Sequence, residues 1–298
     1  MKKGMWYGLG AYLIWGFIPL YFKLLMPVPA VQILGNRIAW SFVFLSLVLT
    51  ARRAWGPLRL AITSWRMLPV FAVSALLLAG NWLMYIWGVN AGYIVETSLG
   101  YFINPLVNVL LGVVFLRERL RRGQWLPIGL AALGVLYLTF NYGRPPWLAL
   151  ALAFTFGLYG LAKKKAPLGS LYGLTVETGL LFVPAVLFLG WTRAQGAGGL
   201  DTYGWQTGLL LAFSGIITSV PLLLFGSAAR QIDLSVLGLL QYIAPTIQFM
   251  IGVFIYNEPF DQAQLVGFAM IWLALALFWV EGMVARRRLR LEAGVIHT

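Results

Sequence analysis

The sequence predicts an all-α integral membrane protein whose ten transmembrane helices form two inverted five-helix repeats. Three observations carry this reading: ten long apolar runs, basic residues crowded into alternate loops between them, and a second half that repeats the first at an offset of 140 positions. Composition sets the frame. Of 298 residues, 60% are hydrophobic and 10% charged, with a mean hydropathy of +0.82, where a soluble domain carries about 25% charged residues. A chain this apolar aggregates in water unless lipid covers it.

Crossing about 30 Å of hydrocarbon takes roughly 20 apolar residues per helix. The ten runs lie at 5–24, 31–50, 67–89, 94–116, 124–141, 146–162, 170–190, 205–229, 234–256 and 264–284. The first follows Lys2 and Lys3 and precedes Val28-Pro29-Ala30, the outline of a secretory leader. Its length, its Pro19 and its place in the repeat make it a span instead. The sixth run is short and contains Gly157, but the parity of its neighbours requires it. Of 22 Lys and Arg, 18 fall in loops on one side, only Lys23, Arg144 and Arg193 lie on the other, and Arg37 sits inside the second span. The positive-inside rule then places both termini in the cytoplasm. Placed this way, a formal net charge of +13 reports orientation and not nucleic-acid binding. The absence of cysteine removes disulfides, thiol nucleophiles and thiolate metal sites.

Shifted by 140 positions, Leu99 to Leu133 aligns without a gap to Leu239 to Leu273. Pro105 meets Pro245, Gly112 meets Gly252, Glu118 meets Glu258 and Gln124 meets Gln264, identities that shared apolarity does not explain. Ser74 matches Ser214 at the same offset, and at 141 Trp6 matches Trp147 and Gly16 matches Gly157. The halves are therefore read as residues 1–142 and 143–298, each with five spans. An odd number of spans per copy forces the second to enter from the opposite face. The loop after Glu118 carries Arg119, Arg121 and Arg122, while the loop after Glu258 carries Pro259, Phe260 and Asp261, in keeping with that inversion. Inverted repeats provide two nearly equal conformations, one open to each side, which is the geometry of alternating access.

Several stretches together carry a family resemblance: Tyr12-Leu13-Ile14-Trp15-Gly16, Asn81-Trp82 with Tyr85-Ile86-Trp87, Glu96-Thr97-Ser98-Leu99-Gly100-Tyr101-Phe102-Ile103-Asn104-Pro105-Leu106, Phe115-Leu116 with Glu118-Arg119, Gln124-Trp125, and Gln241-Tyr242-Ile243 with Pro245. Over nearly its whole length the chain resembles the EamA-type branch of the drug/metabolite transporter superfamily. That resemblance implies ten helices in two inverted five-helix repeats and an inner-membrane carrier acting in export.

Charges inside spans are costly and default to functional hypotheses. Arg37 lies about seven residues into the second span and Glu177 about as far into the seventh, roughly 10 to 12 Å deep. They are separated by the repeat offset of 140 and carry opposite charge. Three roles fit: an embedded ion pair with each other, separate linings of a solute path, or helix packing through local hydrogen bonds. Glu96, opening the fourth span, is either a carboxylate favoured by the helix dipole or a titratable group at the cavity mouth. Glu118 and Glu258 are read as loop anchors.

Asn104-Pro105 and Ala244-Pro245 are expected to interrupt paired helices at matching depths, freeing carbonyls near a central site. Gly16 and Pro19, beside Trp15, suggest a bend in the first helix. Asn81, Tyr85, Tyr101, Asn108, Gln241, Tyr242 and Gln248 complete an aromatic and amide lining suited to an amphipathic or ring-bearing solute. Asn104 and Asn108 share a helix face at a spacing of four, as do Ala244 and Gln248. The site is expected on the pseudo-twofold axis, in a cavity that reaches the midplane between the two prolines.

Catalytic chemistry has little to work with. His297 is the one histidine, Asp201, Asp233 and Asp261 fall in loops, and no phosphate-binding glycine loop with Lys and Ser/Thr occurs. No enzyme activity, cofactor or metal is expected. The reading is a secondary transporter of a small amphipathic metabolite or drug-like solute across the cytoplasmic membrane, with solute and lipid as its partners. A lipid flippase or scramblase on the same scaffold is the alternative, with a membrane protein lacking any transport cycle behind it.

Overall fold

The apolar runs fold as long helices because, in hydrocarbon, a backbone can satisfy its N–H and C=O groups only within its own segment. The computed structural model describes the chain except for Met1, Met26, Pro27, Trp65, Gly92, Arg144, Gly199 and residues 257–261 and 296–298, together with some helical side chains, Glu96 among them. The described residues are all-helical apart from turns and loops. The long helices are α1 (Lys2–Lys23), α2 (Ala30–Ala51), α4 (Leu68–Asn90), α5 (Ile94–Leu116), α6 (Trp125–Tyr142), α7 (Trp147–Lys165), α8 (Ser170–Ala194), α9 (Leu200–Ala229) and α12 (Gln262–Val295). One further rod is split into α10 (Leu234–Gln241) and α11 (Ile243–Ile255). A short helix that the sequence reading placed in a loop, α3 (Gly56–Thr63), seats Leu58 against Leu49, Phe71 and Val176. Within α9, Gly204 adopts φ 79° and ψ 165°, so the straight rod begins at Trp205.

Eight segments are long and apolar enough to cross a membrane: α2, α4, α5, α6 with the turn before it, α8, α9, α10 with α11, and α12. By that measure α1 and α7, both read as spans from the sequence, fall short. Their composition explains it. Trp6, Tyr7, Tyr12 and Trp15 dilute α1, and α7 ends in Lys163, Lys164 and Lys165. Both pack inside the bundle, α1 against α9, α10 and α11, and α7 against α4, α5 and α9. Neighbouring helices cover much of what lipid would otherwise touch. The outer surface is apolar, with Leu126, Phe140, Leu187 and Phe254 among its most exposed side chains.

The packing pairs map onto one another when the first five long helices are exchanged for the second five. Thus α5 with α7 corresponds to α10–α11 with α1, and α1 with α9 corresponds to α7 with α4. The pairs α2 with α8, α5 with α10, and α6 with α12 map onto themselves. Individual residues follow. A Cβ on Gly16 would lie 2.8 Å from Ile247, and one on Gly157 would lie 2.9 Å from Val107. Gly16 and Gly157 are repeat mates, and so are Val107 and Ile247.

The equivalence is incomplete. Where α9 crosses α2, a Cβ on Gly215 would overlap the backbone of Trp40 and Ser41, and Ser41 Oγ donates to the Gly215 carbonyl at 3.2 Å. The repeat mate of Gly215 is Ala75. α2 packs more extensively on α9 than α4 does on α8. Away from it, Glu118 ties α5 to α10. Its carboxylate accepts from Lys164 Nζ at 3.1 Å, Leu234 N at 2.7 Å, Ser235 N at 3.0 Å and Ser235 Oγ at 2.7 Å. Burial pushes this carboxyl's pKa up, but the hydrogen bonds from Ser235, Leu234 and Lys164 outweigh that and hold it below its usual value. Its loop-anchoring role follows from those contacts, while its mate Glu258 lies outside the described residues.

Because backbone atoms cannot step aside, Gly215→Ala should destabilise the bundle by about 1 to 3 kcal/mol. Gly80→Ala is the control, since a Cβ there meets open space. Melting of the purified protein in detergent checks this, and equal melting temperatures for the two variants would contradict the close crossing.

Candidate functional site

The in-span carboxylate of the second half is fully paired. Glu177, on the buried face of α8, is 0% exposed and Lys163, in the last turn of α7, is 2% exposed. Lys163 Nζ lies 2.8 Å from each Glu177 oxygen. Ser74 Oγ of α4 donates to the same carboxylate at 2.6 Å, and the Tyr159 hydroxyl of α7 donates at 3.4 Å. Taking two opposite charges out of water is tolerable only with such a full shell. The node joins α4, α7 and α8 near the end of the bundle that carries most of the basic loops.

The repeat mate of Glu177 has a different environment. Arg37 of α2 donates Nε to Thr218 Oγ1 of α9 at 2.9 Å. Its guanidinium stacks 4.9 Å from the Trp82 ring and 5.2 Å from the Phe22 ring. Tyr21, Tyr85 and Tyr101 stand around it. Among the described residues no carboxylate pairs with Arg37. The embedded pair that the sequence left open between Arg37 and Glu177 is therefore not formed, because each binds other partners on opposite sides of the bundle's middle.

Between the two nodes, amides tie the halves together. Asn104 Nδ2 donates to the Ala153 carbonyl at 3.1 Å, and Asn108 Nδ2 donates to Asn104 Oδ1 at 3.0 Å and Gln241 Oε1 at 2.9 Å. Gln248 Nε2 donates to the Trp15 carbonyl at 2.9 Å. The Tyr242 hydroxyl donates to the carbonyl of Phe102, its own repeat mate, at 3.2 Å. Trp15 and Phe156, also mates at the 141 offset, meet edge to face at 5.7 Å. Aromatic rings and amides thus form one layer between the two nodes. Two hydroxyl or amide oxygens in it, Tyr12 Oη and Asn108 Oδ1, are buried without a hydrogen-bond partner.

The expected paired interruptions occur on one side only. α5 runs unbroken through Pro105, whereas the second copy parts at Tyr242, so that Pro245 falls in the first turn of α11. A proline in a first turn needs no N–H donor there. A Cβ on Gly238 would stand 2.7 Å from the Pro105 carbonyl oxygen, which shows how closely α10 lies on α5. The cavity beside this layer is lined by Asn81, Thr97, Gly100, Tyr101, Asn104, Leu152 and Phe156. It holds about 10 Å³, room for about one water. Asn81, Tyr101 and Asn104 border this space, Tyr85 packs on Tyr101 at 5.7 Å, and Asn108, Gln241, Tyr242 and Gln248 are bonded into helix contacts beside it. The stretches that carry the two prolines are in close contact through Gly238 and the Pro105 carbonyl and through Tyr242 and Phe102. The side chain of Glu96 lies outside the described residues.

Sequence reasoning missed the partners. Lys163 was counted as a loop cation, because three consecutive lysines follow an apolar run, yet α7 extends through Lys165 and turns the first of them inward. Thr218 and Tyr159 had no distinguishing signal. Ser74 had one, its match with Ser214.

The profile of the EamA-like transporter family matches residues 2–140 and again residues 145–280. The chain is 47% identical over 294 residues to Protein RarD of Streptomyces exfoliatus, spanning 98% of this chain and 93% of that protein. It is 43% identical over 287 residues to Protein RarD of Escherichia coli strain K12, spanning 96% and 97%. A crystal structure aligns with a TM-score of 0.70 at 19% identity, over 93% of this chain and 97% of that one, a likeness of fold.

Removing one member of the buried pair leaves the other charge without compensation. Glu177→Gln or Lys163→Met alone should cost about 3 to 5 kcal/mol, and the two together should cost less than either. Denaturation of the purified variants measures this, and simple addition of the two losses would contradict direct pairing.

Proposed function

The chain belongs to the EamA-like transporter family, and from that premise we propose that it is a secondary carrier moving a small amphipathic solute outward by alternating access. It is a multi-pass protein of the bacterial inner membrane, and its family points to transport rather than catalysis. In this reading, ten helices form two inverted halves, residues 1–142 and 143–298, with both termini cytoplasmic. The observation that carries it is the meeting of repeat mates across the bundle: Trp15 on Phe156, Tyr242 on Phe102, and the exchange of Gly16–Ile247 for Gly157–Val107. Helix pairs that are equivalent but in contact to different extents supply two related packings of one sequence, the requirement for a bistable carrier. The separate family match to each of two consecutive stretches supports the division into halves.

The solute site in this proposal is the space bordered by Asn81, Tyr101 and Asn104, with Tyr85, Trp15 and Arg37 close by. In this proposal the space is closed toward one end by the α2–α9 crossing and toward the other by the Lys163–Glu177 node. Pro105 and Pro245, with Asn108, Gln241, Tyr242 and Gln248, are proposed to open this layer when the halves move. Secondary transport is tested by counterflow. Vesicles reconstituted with the purified protein and preloaded with unlabelled solute should transiently concentrate the labelled solute, without ATP, when amino acids, nucleosides, vitamins and aromatic antibiotics are screened. Movement of labelled lipid with no solute counterflow would replace this reading with the flippase one.

A further inference from the structure

The two halves treat their in-span charges differently, and the difference specifies a ligand. Glu177 has its counter-ion built in, with Lys163 Nζ 2.8 Å from both oxygens. Arg37, at the equivalent position, has an aromatic surround and, among the described residues, one hydrogen bond, Nε to Thr218 Oγ1. It is only partly buried. A cation held among helices with no anion beside it among the described residues is expensive, and one N–H would serve to bond Thr218.

We propose that Arg37 is the recognition point for a small organic carboxylate with an apolar or aromatic body. This rests on the carrier reading and names its substrate class. The planar fork of guanidinium donors matches a carboxylate with two parallel hydrogen bonds. One unbalanced positive charge is neutralised by one negative charge, whereas a phosphate dianion would leave a buried net charge. Trp82 and Phe22 hold the guanidinium plane from their faces, and Tyr85 and Tyr101, 5.7 Å apart, offer ring surface beside it for the ligand's apolar part. The nearest structural parallel is Glu177 itself, which shows that this depth of the bundle accepts a carboxylate once a cation meets it. An anionic lipid headgroup shares the single negative charge, but the rings around Arg37 belong to the bundle interior, with Trp82 packed against the buried core.

The test is thermal melting of the purified full chain in detergent with sodium benzoate, its neutral counterpart benzamide, sodium phosphate and phosphatidylglycerol, all at matched ionic strength. Benzoate should raise the melting temperature by several degrees and benzamide should not. Arg37→Gln should abolish the benzoate effect. Arg37→Lys, which keeps the charge and loses the fork, should need roughly tenfold more benzoate and decides the matter if the Gln variant does not fold. Equal stabilisation by benzoate and benzamide, or by phosphate or phosphatidylglycerol to the same extent as benzoate, overturns the proposal. Vesicles separate it from the carrier reading. If they exchange a neutral solute while benzoate is neither bound nor moved, the carboxylate inference fails and the carrier stands. If benzoate binds through Arg37 and no solute is exchanged, the site stands and the carrier fails.

Discussion

Inside hydrocarbon a charge without a partner costs several kcal/mol, and the internal layout of this protein follows from how it meets that constraint. Glu177 collects Lys163, Ser74 and Tyr159, which draws α4, α7 and α8 into one knot. The constraint also explains why α7 can end in three lysines and remain packed. Its first lysine is turned into the bundle to neutralise the carboxylate, while Lys164 reaches Glu118 and the Ile232 carbonyl. A buried pair of this kind contributes less to net stability than to fixing which helices meet.

The same constraint gives meaning to the inequality between the halves. At the 140-residue offset the two stretches differ at paired positions: glycine against alanine at 215 and 75, and arginine against glutamate at 37 and 177. At the first, glycine lets α9 approach the α2 backbone. At the second, Glu177 is paired with Lys163, while among the described residues no carboxylate meets Arg37. The aromatic and amide layer between them, from Trp15 and Phe156 to Asn108 and Gln241, is shared by both copies and is satisfied mostly across the interface.

Much of this was legible in the sequence, for identifiable reasons. Apolar runs and loop charge place helices well, because lipid imposes one length and one polarity on every span. The boundaries read from the sequence differ from those of the helices by a few residues at most ends. The 140-residue offset marked which residues would be mates. Partner choice was not legible. Whether Glu177 meets Arg37 or Lys163 depends on how α7 and α2 rotate about their axes, and three consecutive lysines at a span end look the same whether one points inward or all face water. The matching prolines carried symmetry but not its outcome. Pro105 sits mid-helix, held by Asn104 and by the approach of α10, while Pro245 falls where a new helix begins, a difference that depends on tertiary contacts. The missing α3 reflects length, since eight residues give little periodic signal.

The central claim is that the two mate crossings, α2 with α9 and α4 with α8, exchange roles during a transport cycle. With no native cysteine to interfere, spin labels can be placed at Val31 and Trp205 to report on the first crossing and at Val70 and Pro167 to report on the second. Pulsed electron spin resonance distances would be recorded in lipid, first without solute and then with a solute the protein transports. The account predicts changes of opposite sign, one pair separating as the other closes. Distances that change together, or that stay fixed while solute is moved, would contradict it.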